Sequence, residues 1–323
     1  MVQRRADRLH GVLVVDKPTG VSSQDTVTRV RLALGVRSAG HTGTLDPLAT
    51  GVLPICLGQA TKIAQWLAAD DKRYTCTATL GLTSTTLDSE GQVTRRATVD
   101  HVDPAALEAA LAGLRGEHAQ VPPLHSAIWI DGERSHKLAR DGVAVTPAAR
   151  PVRVDELTVT RLAPPEVDLA IACGKGTYVR ALVRDLGDAL GTGAVLTALR
   201  RTASGRFTID RAVPMAAINW RTIAPHVIPT RVALGLPEVV VDAAGVADVY
   251  NGHELRVARY VDGFTDGDRF QLVTADGDTV AVCERRDGRM FMHRVLVYEA
   301  LDDRGRVPQS PRLKQPGHEP GPD

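Results

Sequence analysis

The sequence predicts an α/β protein of the α+β type, with a small β module toward its C-terminal end. Three observations carry this. Residues 10–16 (HGVLVVD) form an apolar run that stops at Pro18-Thr19-Gly20 and leads into a capped helix. Residues 152–162 and 167–173 are two strand-like runs that precede a segment with helical period. Beyond Pro237, short apolar-polar segments are separated by Asp-Gly pairs.

Each element has a local cause. Ser22 reads as a helix N-cap with Asp25 three residues on, and Gly35 ends that helix after Leu34. Residues 40–47 (GHTGTLDP) read as a loop, with two glycines and an Asp-Pro step. Residues 61–67 suggest a short helix, and residues 73–80 alternate polar with apolar as a strand does. Asp103-Pro104 is an N-cap followed by proline at the first helical position, for a helix to about Leu111. Val121-Pro122-Pro123 cannot lie inside a helix, and residues 127–145 read as a polar, glycine-punctuated excursion. Residues 178–190 carry apolar groups at 179, 182, 183, 186 and 190, one helical face. A boundary falls near Leu234–Pro237. The Asp-Gly pairs at 262, 266, 276 and 287 then predict an all-β module to about residue 300. Residues 301–323 are proline-rich with few apolar groups, and read as a disordered tail.

Composition narrows the function. At 323 residues the chain has room for about two domains, taking ~150 residues each as a prior. Hydrophobic residues make up 43%, so a mainly disordered chain is excluded. No apolar run approaches the ~18 residues that span a bilayer. Arg4, Arg5 and Arg8 have no apolar stretch behind them, so no secretory signal is expected. Cys56, Cys76, Cys173 and Cys283 form no CxxC pair, which excludes a zinc ribbon and fits a reducing cytoplasm. Residues 1–236 hold 28 Lys+Arg against 22 Asp+Glu, or +6, whereas residues 237–300 hold 7 against 12, or −5. The basic part suits a polyanion. Aromatics are only 4%, too few for a single-strand binder built on stacked rings.

Several chemistries lack their motifs. Gly174-Lys175-Gly176-Thr177 is not a P-loop, because glycine follows the lysine and none lies five residues before it. GxGxxG, HExxH and GxSxG are absent, and the histidines lack metal-ligand spacing. What stands out is residues 40–62, GHTGTLDPLATGVLPICLGQATK. Taken singly, Asp46 before Pro47 is a turn former and His41 a hydrogen-bonded structural residue. Together they form a glycine-flexed loop that presents one carboxylate beside apolar groups. A partly desolvated carboxylate can serve as nucleophile or base.

That segment resembles the signature of the bacterial tRNA pseudouridine synthase B, or TruB, family. Residues 11–23 (GVLVVDKPTGVSS), 71–81 (DKRYTCTATLG), 121–127 (VPPLHSA), 173–187 (CGKGTYVRALVRDLG) and 199–207 (LRRTASGRF) resemble further family segments in the same order. The likeness covers roughly residues 9–236. It implies a catalytic domain (1–236) with a mixed, largely antiparallel sheet and an RNA-gripping thumb at about 121–150. A small PUA-like β domain (237–300) and the tail (301–323) follow.

The resemblance also implies a reaction. One uridine of the TΨC loop of tRNA, position 55 in tRNA numbering, is flipped out and isomerised to pseudouridine. Asp46 is then the nucleophile, adding to the base or attacking the sugar. Arg180 faces it, and Tyr74 stacks on the target base and is placed for proton transfer. Tyr178 and Leu199 line the uridine pocket, and His41 helps hold the base out of the loop. His125, Trp129 and His136 depart from the pattern of the thumb. Substrate and product are isomers, so no redox cofactor or ATP is required and no cofactor is expected; the scattered histidines already argue against a metal, and none is expected. The implied partner is the tRNA T-stem loop, without guide RNA or membrane, and the implied state is a cytoplasmic monomer.

Two rivals remain open at this stage. One is an RNA chaperone that opens the tRNA elbow, alone or as a second role. The other is the related guide-RNA-dependent synthase, which the thumb excursion argues against, since a stand-alone enzyme needs its own grip on the T arm.

Overall fold

The structure, a computed structural model, describes residues 9–126, 129–130, 133–134, 141, 145–251 and 263–296. The basic N-terminus, most of the 127–145 excursion with His136, and the 301–323 tail lie outside the described residues. In chain order the strands are β1 (Gly11–Lys17), β2 (Ala39–His41), β3 (Thr50–Leu57), β4 (Lys72–Leu80), β5 (Leu82–Ser84), β6 (Val93–Arg95), β7 (Gly116–Gln120), β8 (Trp129–Ile130), β9 (Glu133–Arg134), β10 (Arg150–Ala163), β11 (Glu166–Cys173), β12 (Ala194–Ser204), β13 (Phe207–Thr208), β14 (Val213–Pro214), β15 (Val227–Ile228), β16 (Glu238–Val240), β17 (Arg269–Val273), β18 (Thr279–Arg286) and β19 (Arg289–Val295). The α-helices are α1 (Ser23–Leu34), α2 (Ala64–Ala68), α3 (Pro104–Ala112), α4 (Val179–Ala189), α5 (Thr230–Leu234) and α6 (Ala243–Asn251).

One large sheet runs β14-β1-β3-β12-β4-β11-β10-β7. Its neighbours are antiparallel except β1 with β14 and β3 with β12, which are parallel. The mixed, largely antiparallel sheet is therefore present. One face is covered by the apolar stripes of α1, α3 and α4: Val27, Val30 and Leu34, then Leu107 and Leu111, then Leu182, Val183 and Leu186. Strand β1 is apolar on both faces because it is covered on both. Val12 and Val14 pack with Val52, Phe207 and Leu234 on the opposite side, and Val282 and Leu296 of the C-terminal module join that cluster.

The helix ends follow the caps. Ser22 accepts the Asp25 amide at 3.0 Å and donates to its carboxylate at 2.7 Å. Asp103 accepts the Ala106 amide at 2.7 Å, and Gly35 ends α1 with φ 65°.

Several expectations are corrected. The loop at 40–47 begins as strand, because β2 pairs with β3 from Ala39↔Leu57 to His41↔Ile55. Strands β3 and β12 were not anticipated. The helix expected at 61–67 is a 3-10 turn over Gly58–Ile63 followed by α2. The C-terminal module is not all-β: its four-stranded sheet, β16-β17-β18-β19, carries α6, whose Val249 is buried with Val241, Phe270 and Leu272. The Asp287-Gly288 pair does make the β18–β19 hairpin turn, with φ 51° and 71°, both positive as a type I′ turn requires.

Candidate active site

Asp46 sits in the loop between β2 and β3, and the turn after β1 holds that loop. Ser23 Oγ donates to Leu45 O at 2.9 Å and accepts the Leu45 amide at 2.8 Å. The Gly20 amide donates to Pro47 O at 2.8 Å. Lys17, fully buried, donates to Pro18 O (2.9 Å), Val21 O (2.6 Å) and Pro47 O (3.2 Å). The two sequence segments 11–23 and 40–62 therefore form one unit: the first clamps the backbone on either side of Asp46.

Arg180 meets Asp46 from α4. Its Nε donates to Oδ2 and its Nη2 to Oδ1, each at 2.9 Å, a two-pronged fork. The guanidinium is 5% exposed and the Asp46 carboxylate 29%, so the charge pair is dry on one side and open on the other. Arg180 also donates from Nη1 to Thr86 O at 2.9 Å and from Nη2 to His125 O at 3.0 Å. A second carboxylate, Asp88, lies 3.5 Å from Nη1 and is buried. Asp88 is fixed by Thr86 Oγ1 at 2.5 Å and the Glu90 amide at 3.1 Å.

Asp46, Tyr74, Tyr178, Arg180 and Leu199 line one cavity of about 280 Å³, together with Lys72, Ser126 and Arg201. Five of the six predicted site residues are thus brought together. The sixth, His41, ends β2 beside Thr42, which lines the cavity, but does not itself line it. Its Nδ1 is buried without a hydrogen-bond partner among the described residues. Burial, and then the Arg201 charge, hold His41 below its ordinary value, so its ring is neutral near pH 7.

The sheet places Tyr74. It stands opposite Arg201 of β12 and Ile171 of β11, with its side chain on the face toward α4. Burial raises its phenol pKa, while the charge of Arg201 and a hydrogen bond from it pull the other way. Arg201 is 1% exposed, and donates to Val52 O at 2.6 Å and Gly43 O at 3.1 Å, tying β12 to the Asp46 loop. A Cβ on Gly51, at φ 99°, would fall 2.2 Å from Arg201 O, so only glycine permits this approach of β3 to β12. The predicted thumb residue His125 enters the site through its carbonyl alone. The four cysteines are buried and free, and burial pushes the Cys56 and Cys76 thiols up to about 12, leaving them inert.

Sequence reasoning missed Asp88 and Arg201. Asp88 lies in TSTTLDSEG, which reads as a polar turn, and carries no local signal of its ion pair. Arg201 could have been found by strand alternation, which puts it on the same face as Leu199.

Residues 31–179 match the family model for the N-terminal domain of TruB family pseudouridylate synthases. Residues 180–224 match that for the tRNA pseudouridylate synthase B C-terminal domain. The chain is 40% identical over 300 residues to the tRNA pseudouridine synthase B of Burkholderia pseudomallei (strain 668), covering 91% of this chain and 98% of that one. The chain belongs to the TruB family. Its likeness to the tRNA pseudouridine synthase B of Mycobacteroides abscessus is 41% over 284 residues, covering 86% and 93% of the two chains. In Vibrio cholerae serotype O1 the protein of that name is 46% identical over 220 residues, with 68% and 70% covered. Among solved structures, a chain of the Cbf5-Nop10-Gar1 complex superposes with a TM-score of 0.69 at 25% identity, covering 92% of this TruB-family chain and 87% of that chain.

Proposed function

We infer that this TruB-family chain is a stand-alone tRNA pseudouridine synthase. It isomerises the uridine at position 55 in the TΨC loop, with Asp46 as nucleophile. The observation that supports this best is the Arg180 fork on a half-open Asp46 at the floor of a small cleft. The guanidinium gives the carboxylate a charge-assisted, two-pronged partner that fixes its orientation. Three buried cationic side chains, Lys72, Arg180 and Arg201, share the cleft with that one carboxylate and give it a positive surround, which suits a site that takes in part of a polyanion.

The chemistry needs little else. The N-glycosidic bond breaks, the base turns, a C–C bond forms from C5, and the proton lost from C5 is balanced by one gained on the freed ring nitrogen. Asp46 holds one fragment covalently while the other rotates, by adding to the base or by attacking the sugar. Tyr74 stacks on the base, and its phenol, protonated at neutral pH, can donate or relay a proton. Tyr178 and Leu199 form walls. His41 at the cavity's edge supports the extruded base as a neutral ring. Extrusion costs a few kcal/mol, so such a support is needed.

Residues 1–236 make up the catalytic domain in this reading, with the thumb at about 121–150, and 237–300 a PUA-like accessory. The protein works as a cytoplasmic monomer on the T-stem loop without guide RNA; the chain covers 98% and 93% of two relatives that are tRNA pseudouridine synthase B. Among the described residues no helix is long and apolar enough to cross a membrane. The test is site-resolved pseudouridine mapping after incubation with one unmodified tRNA transcript. Modification at position 55 alone is expected. No modification, with tRNA still bound and remodelled, would leave the chaperone reading instead.

A further inference from the structure

Helix α4 delivers Arg180 to Asp46, yet little in its own sequence fixes where it begins. Its N-cap is Tyr178, whose side chain makes no capping bond. The preceding loop contains Gly174 and Gly176, and Gly176 takes φ 84°. That loop is tied to Arg153 O by the Gly174 amide at 2.9 Å and by Thr177 Oγ1 at 3.5 Å.

The missing anchor comes from another strand. Gln120 is the last residue of β7 and is 1% exposed. Its Oε1 accepts the Tyr178 amide at 2.9 Å, and its Nε2 donates to Tyr178 O at 3.3 Å. Both polar atoms of one side chain thus grip the backbone of one residue, two positions before Arg180. The next bonds point the same way. Arg184 Nη2 donates to Val121 O at 3.0 Å, and Arg180 Nη2 donates to His125 O at 3.0 Å. Segment 120–125 is laced to the first turns of α4 at three places. Gln120 does not line the cavity.

We propose that Gln120 is a positioning residue for the reaction. It acts through the Tyr178 backbone, setting the start of α4 so that the Arg180 fork closes on Asp46 and the Tyr178 ring forms the pocket wall. An amide is the side chain suited to this task, because it offers one acceptor to the N–H and one donor to the C=O of a single residue without a charge. A leucine of similar bulk would leave a buried N–H without its partner and the helix start free to shift. The proposal rests on Asp46 and Arg180 being the reacting pair.

The experiment uses the full chain, wild type beside Gln120→Leu, Gln120→Glu and Asp46→Asn, with one tRNA transcript. Single-turnover rate at saturating enzyme, tRNA affinity and folded fraction are measured for each. For Gln120→Leu the rate per folded molecule should drop about 10- to 100-fold, the scale of a misplaced catalytic group, with affinity within about threefold. Gln120→Glu keeps the acceptor for the Tyr178 amide, and should recover part of that loss. A purely structural role would lower the folded fraction and leave the rate per folded molecule unchanged, and that result overturns the proposal. So does a parallel fall in rate and affinity. If Gln120→Leu does not fold, Gln120→Glu decides alone: a slower rate at unchanged affinity supports the proposal, and a wild-type rate overturns it. Turnover by Asp46→Asn would instead show that the reacting pair was wrongly assigned, whatever Gln120 does.

Discussion

Asp88 stands 3.5 Å from Nη1 of Arg180 and does not line the cavity that Asp46 and Arg180 share. Arg180 is therefore held between two carboxylates, one buried and one half-open, and only the half-open one faces the cavity. Asp88 holds the buried arginine electrostatically beside Nη1, together with the Thr86 and His125 carbonyls to which the arginine donates, so the fork on Asp46 costs no reorganisation when substrate arrives. Asp88→Asn keeps the shape but removes that charge. Turnover should fall by about 10- to 100-fold, the cost of a group about 1 Å out of place. Affinity should hold, because Asp88 is 3% exposed and cannot reach RNA. Single-turnover rate and equilibrium binding with one transcript check both halves.

Asp46→Asn should abolish turnover, by at least about a thousandfold, because the substituted amide cannot act as a covalent nucleophile at this site. Binding should stay within about threefold, since phosphate contacts spread over the RNA carry most of the affinity. Residual turnover within tenfold of wild type would remove Asp46 from its assigned role.

Tyr74→Phe separates stacking from proton transfer. The ring remains opposite Arg201, and only the hydroxyl is lost. If the phenol moves a proton, the rate should fall by about 10²- to 10⁴-fold at nearly constant affinity. A drop in affinity alone would make Tyr74 a pocket wall.

The sequence was informative where local physics decides, and opaque where tertiary contact does. Ser22, Asp103 and Gly35 announce α1 and α3, because caps act within one turn. The alternation of β4 and the helical stripe of α4 were legible for the same reason. Strand β3 was hidden by Pro54, which argues against an internal strand. It is tolerated because β12 pairs with β3 only at Thr50 and Gly51 and has parted from it by Pro54. Strand β12 was hidden by two adjacent arginines with opposite fates: Arg200 is 39% exposed on Asp16, while Arg201 is buried beneath the Asp46 loop. Helix α6 was masked by the Asp-Gly pairs that follow it, which set the reading of the whole module. The family signature located Asp46, Tyr74 and Arg180, but Asp88 meets Arg180 only through the fold.

The C-terminal sheet is packed against the large sheet through β1 and its neighbours. Leu296, fully buried, lies in one cluster with Val12, Val14 and Phe207, and Lys62 donates to Val295 O at 3.0 Å. Leu296→Ala should destabilise the chain by about 2–5 kcal/mol, the range for a buried leucine. Every residue of the Asp46 cavity lies outside that cluster, so the rate per folded molecule should stay at the wild-type level. Denaturant melts and single-turnover assays below the melting range test the two statements separately.

Lys17 supplies the pH prediction. Its ammonium is fully buried, and bonds three carbonyls next to the Asp46 loop. Burial lowers its pKa from 10.5 to about 8, with Asp46 opposing. The folded state thus releases the proton more readily than the unfolded chain. Below pH 8 both states are charged, and the burial cost is present in full. Between about 8 and 10.5 the unfolded chain binds more protons, so stability contributed by this group rises with pH; above 10.5 the gain is complete. Lys17→Met removes the titration and strands three carbonyls. It should cost about 1–3 kcal/mol for each one left dry. The gap in unfolding free energy between wild type and Lys17→Met should therefore widen from pH 8 toward 10.5, measured by denaturant melts in matched buffers. Comparing the two chains cancels every other titrating group. A gap that stays flat, or narrows, across that window would mean that the Lys17 ammonium is not held below its ordinary pKa, and that its three carbonyl bonds outweigh its burial.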